Sequence, residues 1–329
     1  MHASSRLLNW GVFLVIVGAF ALAVQAGLIE AGAAAQLLRW WPVMLIVIGL
    51  SIVLSRTAFP VVGGLLVAAT AGLFVGALLA GGIGAFGNAC AGGDAAGGAT
   101  TTQSGTFNDG VGLLRMELTC ANVTVTRSAG ATWNVEARHE EGRPPAIEQA
   151  PNRLTLGTND SDGFSFFGGD TRRDWNVTLP TDPVLNVGAT FNASRGQLDL
   201  GGGPLELLSA TFNASDVRLN LAGADARNGP LNLTLNASSV TIALPSSGTG
   251  ATSSITVNAS SLTVCAPPEL GLRVETKETL GSHNLAAAGL TEVGGAWQTP
   301  GYDSAAARSD MSLTSNVSSV TFDRSGGCP

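Results

Sequence analysis

Charge is scarce in this sequence. Only 12% of its 329 residues are Asp, Glu, Lys or Arg, about half the usual share of roughly a quarter. Before Cys90 the only charged side chains are Arg6, Glu30, Arg39 and Arg56, which leaves 14 basic and 23 acidic residues after it. That acidic excess lacks the basic footprint a nucleic acid requires and gives no electrostatic hold on anionic lipid. Imidazoles are few: His2, His139 and His283. No second His at i+4 and no thiolate pair completes a zinc site, so His139 with Glu140 and Glu141 is expected to be a solvated loop. No G-x-S-x-G frames a nucleophile. Residues 82–87 read GIGAFG and fit the dinucleotide-binding spacing formally. They close an apolar segment and enter a Gly-rich one, however, whereas that site needs a strand before and a helix after. Arg195, Asp216 and Arg218 would supply the charges of a lyase groove, but adjacent repeats do not reproduce them. Aromatic stacking on sugars would fall to Trp133, Trp175, Trp297 and Tyr302, residues whose commoner use is in a core or end cap. The expectation is a non-enzymatic protein with no catalytic residue, cofactor or metal.

Long apolar runs are present, all before Cys90. Residues 7–29, 40–55 and 58–83 are each long enough, or nearly so, to cross a bilayer as a helix. Trp40 and Trp41 sit where an interfacial aromatic belt would place them. The third run carries Gly64, Ala68, Gly72, Gly76 and Ala80, four apart and so on one helix face, a device for close helix approach in lipid. Packing within the chain is the plainer use of that face, and self-association is the other. Arg6 and Arg56 favour a cytoplasmic N-terminus, and three spans then put the C-terminal part outside; Arg39 opposes this. Four cysteines, Cys90, Cys120, Cys265 and Cys328, suit an oxidising compartment with their connectivity open. Residues 1–86 thus read as a transmembrane region, and 87–105, rich in Gly, Ala, Thr and Ser, as a flexible linker.

From residue 106 to 329 the organising feature is a phrase that recurs: FNAS at 191–194 and 212–215, LNAS at 235–238 and VNAS at 257–260. Looser copies are ANVT at 121–124 and SNVS at 315–318. A period of about 22 residues signals a stacked-repeat architecture. Behind each Asn lies a short alternating strand, for example Val217, Leu219 and Leu221, or Val240, Ile242 and Leu244. One such strand cannot bury its apolar face alone, so strands stacked as rungs about 4.8 Å apart are expected. The Asn residues, Asn122, Asn192, Asn213, Asn236, Asn258 and Asn316, are expected to hold the corner of each rung, because Asn tolerates left-handed backbone and its amide can bond to the next rung. Each also fits N-x-[ST], so N-glycosylation is the rival reading. The fold class is therefore membrane helices plus all-β: three transmembrane helices followed by a stacked-strand, β-solenoid-like domain.

The phrases NWGVFLVIVGAFALAVQAGLIEAG at 9–32 and WWPVMLIVIGLSIVL at 40–54 resemble the LiaI/LiaF-like transmembrane region. The repeated N-A-S-S-[VL]-T strands, APPELGLRVETKETLG at 266–281 and TPGYDSAAARSDMSLTSNVSSVTF at 299–322 resemble the adhesin-type toast-rack domain found with it. The resemblance implies a bacterial cell-envelope protein of the bilayer, related to regulators that restrain a sensor kinase in envelope stress. The alternative is an adhesin-like module that binds a surface or wall glycan. No site residue is carried over from the resemblance.

Overall fold

The computed structural model describes residues 10–19, 46–47, 49–50, 63–64, 67–73, 92–94, 98–108, 110–141, 143–157, 171–226, 230–246 and 249–325. These fall in two compact units, Met1–Ala89 and Cys90–Pro329. In the first unit the described residues are helical. A Cβ added at Gly72 would lie 3.0 Å from the Phe13 carbonyl oxygen and 3.1 Å from Ile16 Cβ. Hydrogen is the side chain that fits there, and its small size lets 67–73 rest on 10–19. Gly64 is half-buried and Ala68 buried, whereas Gly76, Ala80 and much of the expected spans 7–29, 40–55 and 58–83 lie outside the described residues. Among those described, no helix is long and apolar enough to cross a membrane.

The second unit is a stack of rungs. Each rung is a longer strand, a tight corner and a shorter strand: Val111–Thr119 with Ala121–Ser128, Val184–Asn192 with Arg195–Asp199, Pro204–Asn213 with Asp216–Asn220, Leu231–Asn236 with Ser239–Ala243, and Thr249–Asn258 with Ser261–Cys265. The chain next forms the seventh rung, Gly271–Thr279 with Ser282–His283, and only then returns to fill the sixth, Arg308–Asn316 with Ser319–Asp323. Pairing between rungs is parallel, so like positions lie above like: Phe191 pairs with Phe212, Phe212 with Leu235, and Leu235 with Val257. The longer strands make one sheet and the shorter ones a second.

The inward faces of the two sheets form the core. Leu198, Leu219, Ile242 and Val264 of the smaller sheet and Phe191, Phe212, Leu235 and Val257 of the larger belong to one buried cluster. The Phe191 and Phe212 rings lie 5.5 Å apart. Each such side chain contributes about 1.5–3 kcal/mol by leaving water, which a lone rung could not gain.

Both ends of the stack are covered by antiparallel strands. At the N-terminal end, Arg153–Gly157 and Thr171–Pro180 extend the parallel sheets below the first rung. Ala146–Ala150, Thr132–His139 and Ala99–Thr106 then turn antiparallel. This corrects the linker expectation: residues 99–105 form a regular strand paired with Thr132–His139 over its whole length. A strand of Thr, Ser and Gly can sit at a sheet edge because the ladder bonds are main-chain bonds. Gly105 also makes room, since a Cβ there would meet the Trp133 ring at 2.6 Å.

Candidate functional site

The corner between the two strands of each rung is the most regular feature of the fold. Its left-handed residue is not the Asn, as the sequence suggested, but the residue after it: Ala193, Ala214, Ala237, Ala259 and Val317, with φ between 47° and 55°. Cys120 and Leu280 hold the same place at the ends of the stack, with φ 53° and 55°. The Asn is the last residue of the longer strand, where its carboxamide can lie over the next one. Asn213 Nδ2 donates to Asn192 Oδ1 at 2.8 Å, Asn236 to Asn213 at 2.8 Å, Asn258 to Asn236 at 2.9 Å and Asn316 to Asn258 at 2.8 Å. Thr119 closes the row, accepting from Asn192 Nδ2 at 3.3 Å. The nitrogen that glycosylation would modify is the donor of this ladder.

Asn122 stands apart from the row. It lies one strand further on, opposite Arg195, and donates to Asp174 Oδ1 at 2.8 Å. The resemblance of ANVT to FNAS hid a shift of the corner to Thr119 and Cys120.

A second row, of serines, was not legible from the sequence. Ser194, Ser215, Ser238, Ser260 and Ser318 are buried, and each hydroxyl oxygen accepts a main-chain N–H from the rung below. Ser194 N–H donates to Ser215 at 3.2 Å, Ser215 to Ser238 at 3.1 Å, Ser238 to Ser260 at 2.9 Å and Ser260 to Ser318 at 3.3 Å. Ala121 N–H donates to Ser194 at 3.1 Å. Each hydroxyl also has at least one carbonyl oxygen in donating reach, such as Asn258 for Ser260 at 2.7 Å, or Phe212 and Asn236 for Ser238 at 2.9 and 3.0 Å. The Ser of every N-A-S is therefore the acceptor that a tight corner would otherwise lack. The signal was its fixed offset of two from each Asn.

Outside the corner, the outward face of the larger sheet carries three registered columns over its second to sixth rungs. They are Gly188, Ser209, Asn232, Ser254 and Ser312; Thr190, Thr211, Thr234, Thr256 and Thr314; and the five Asn. Gly188 apart, every residue in these columns carries an uncharged polar side chain. In line with these columns the flanking rungs carry charge, Arg115 and Glu117 on one side and Glu275 and Lys277 on the other. Farther along the strands Glu206, which accepts from Asn186 Nδ2 at 3.0 Å, and Asp310 stand on the same face. Arg115 pairs with Glu117, and Arg273 with Glu275.

The remaining candidates are placed as follows. Arg195, Asp216 and Arg218 are exposed on the outer face of the smaller sheet, Arg195 opposite Asp216 and Arg218 opposite Gln197. They stand on an open strand surface beside Asp199 and Asn220. His139 is buried, with Nε2 2.9 Å from Thr101 Oγ1 and Nδ1 2.9 Å from the Glu140 carbonyl oxygen, not in a solvated loop. Among the described residues no cluster of His, Cys, Asp or Glu could hold a metal ion. Trp133 and Trp175 are wholly buried, Trp297 packs on the core, and Tyr302 donates to Asp310 at 2.8 Å. Burial, and then the Asp310 carboxylate, raise the Tyr302 pKa. Arg127 ties the opposite turns together through the carbonyl oxygens of Pro180, Pro183 and Pro204 at 3.0, 3.4 and 3.3 Å, and burial lowers its pKa. GIGAFG lies outside the described residues.

No curated protein matches the chain. Among solved structures, a candidate cell adhesion protein from Clostridium sporogenes is 11% identical with a TM-score of 0.46, over 69% of this chain and 100% of that one. A candidate adhesin from Bacteroides fragilis is 13% identical with a TM-score of 0.28, over 68% and 97%. Another from Parabacteroides merdae is 9% identical with a TM-score of 0.20, over 70% and 98%. At the other end of the chain, residues 10–53 match the LiaI-LiaF-like transmembrane region.

Proposed function

We propose that this is a non-catalytic, multi-pass protein of the bacterial cell envelope, an accessory of envelope-stress signalling that acts through contacts of its helices with a membrane partner such as a sensor kinase. In this reading residues 1–86 form three spans, the N-terminus is cytoplasmic and the β unit is extracytoplasmic. The observation that carries it is the match of residues 10–53 to the LiaI-LiaF-like transmembrane region. The close contact of Gly72 with Phe13 and Ile16 favours use of the small-residue face within the chain over self-association. Replacing Gly72 with Leu in the full-length protein is expected to disturb the helix pair and reduce co-purification of the partner. Unchanged co-purification would overturn the helix-mediated reading. Sidedness is tested by protease accessibility: digestion of the β unit in intact spheroplasts supports the orientation, and protection until lysis refutes it.

A second reading is favoured by a different observation. The uncharged Ser, Thr and Asn columns on the outer face of the larger sheet suit an adhesin-like module, anchored by its helices, that binds a surface or wall glycan. Retention of the detergent-solubilised protein on purified envelope material supports it, and no retention at any salt concentration counts against it.

A further inference from the structure

We propose that the Ser, Thr and Asn columns on the larger sheet bind a neutral β-1,4-linked glycan laid along the stack axis. This rests on the glycan-binding reading and adds the face, the direction and the linkage.

The first ground is hydrogen-bonding capacity. The hydroxyls of Thr190, Thr211, Thr234, Thr256 and Thr314 bond to nothing else among the described residues, in contrast to the corner serines, which are fully engaged. Each hydroxyl both donates and accepts, as a sugar hydroxyl does. Each ladder Asn spends one N–H on its neighbour and keeps the second free.

Charge is the second ground. The three columns are neutral across five rungs, with charge at the flanking rungs and at Glu206 and Asp310 farther along the strands, and the chain after Cys90 has 23 acidic against 14 basic residues. An anionic polymer gains no ion pair from these columns and meets an acidic unit, whereas a neutral one meets complementary dipoles.

The third ground is period. Rungs advance about 4.8 Å each, so two advance about 9.6 Å. A β-1,4-linked chain is extended and repeats every two sugars over slightly more than this length, so the roughly two disaccharides that five rungs span meet near-equivalent side chains. An α-1,4-linked chain coils and falls out of register. The Asn and Ser rows hold the face rigid, so little ordering entropy is lost on binding. With no aromatic platform on the face the gain per sugar is small, and affinity accumulates only with chain length.

The test uses the full-length protein in detergent, with insoluble chitin as the neutral β-1,4-linked probe and starch as its α-1,4-linked control. Retention on chitin at least tenfold above starch is expected. The double variant Thr234→Val, Thr256→Val keeps the side-chain shape and suits a strand, and it should lose most of that retention with an unchanged melting temperature. Thr234→Ser, Thr256→Ser should restore it. Chitin retention unaffected by the Val variant, or equal retention on starch, overturns this proposal and leaves glycan binding at another surface. No retention on chitin, on starch or on purified envelope material overturns both.

Discussion

Val317 is the residue at which the fold is most strained. It is β-branched, has φ 52° and is 63% exposed, so it keeps little burial in return for a conformation that costs an L-residue about 1–2 kcal/mol. Val317→Gly is expected to stabilise the β unit by about 0.5–1 kcal/mol after the added chain entropy of Gly is counted, read as a higher urea midpoint. The rows predict the opposite sign. Asn236→Leu strands Asn213 Oδ1 and Asn258 Nδ2 and should cost about 1–3 kcal/mol; an unmoved thermal midpoint would show that the amide row carries no stability. Ser238→Ala, buried and serving Ser215 N–H, should cost a similar amount by the same reasoning. At this scale the sequence was legible where residue type and role coincide. Asn recurs where an amide is stacked. Ala at the left-handed position gave no signal, because nothing in its chemistry favours φ > 0, and the serines were concealed inside a sequon.

The rung is the unit of the fold, and its alternating aliphatics with a fixed Asn offset made it readable. A stack held by nearest neighbours should survive the loss of one member. Deleting residues 214–236 joins Asn213 to Ala237 and preserves the corner. The shortened protein is expected to keep its β-sheet circular dichroism and unfold cooperatively at a lower temperature; loss of cooperativity would mean that the rungs are not interchangeable. Gly201→Ala, by contrast, drives a Cβ into the Ala222 carbonyl oxygen and should cost about 1–3 kcal/mol as overpacking. Two things about elements went unread. The exchange of the sixth and seventh rungs had one mark, the repeat phrase at Asn316 against Thr279 and Leu280 at the seventh corner, but the strands themselves pair equally well with their neighbours by pattern. The edge strand Ala99–Thr106 has the composition of a linker, and only the main chain of Thr132–His139 reveals it.

Across the whole molecule, Cys120 and Cys265 are both disulfide-bonded. They sit on the first and fifth rungs, four steps or about 19 Å apart, while a disulfide requires Cα atoms within about 7 Å. They therefore belong to separate bridges, and the two other cysteines, Cys90 and Cys328, lie outside the described residues. Non-reducing peptide mapping should find no fragment joining Cys120 to Cys265, and such a fragment would contradict the stacking order. The amide row adds one last property. All five carboxamides donate toward Thr119. Turning one alone would face oxygen to oxygen on one side and N–H to N–H on the other. The row thus has two coherent settings, every amide pointing one way or every amide pointing the other. This gives a stack of near-identical rungs a vector, so that its two ends are electrically distinct even where their side chains are the same.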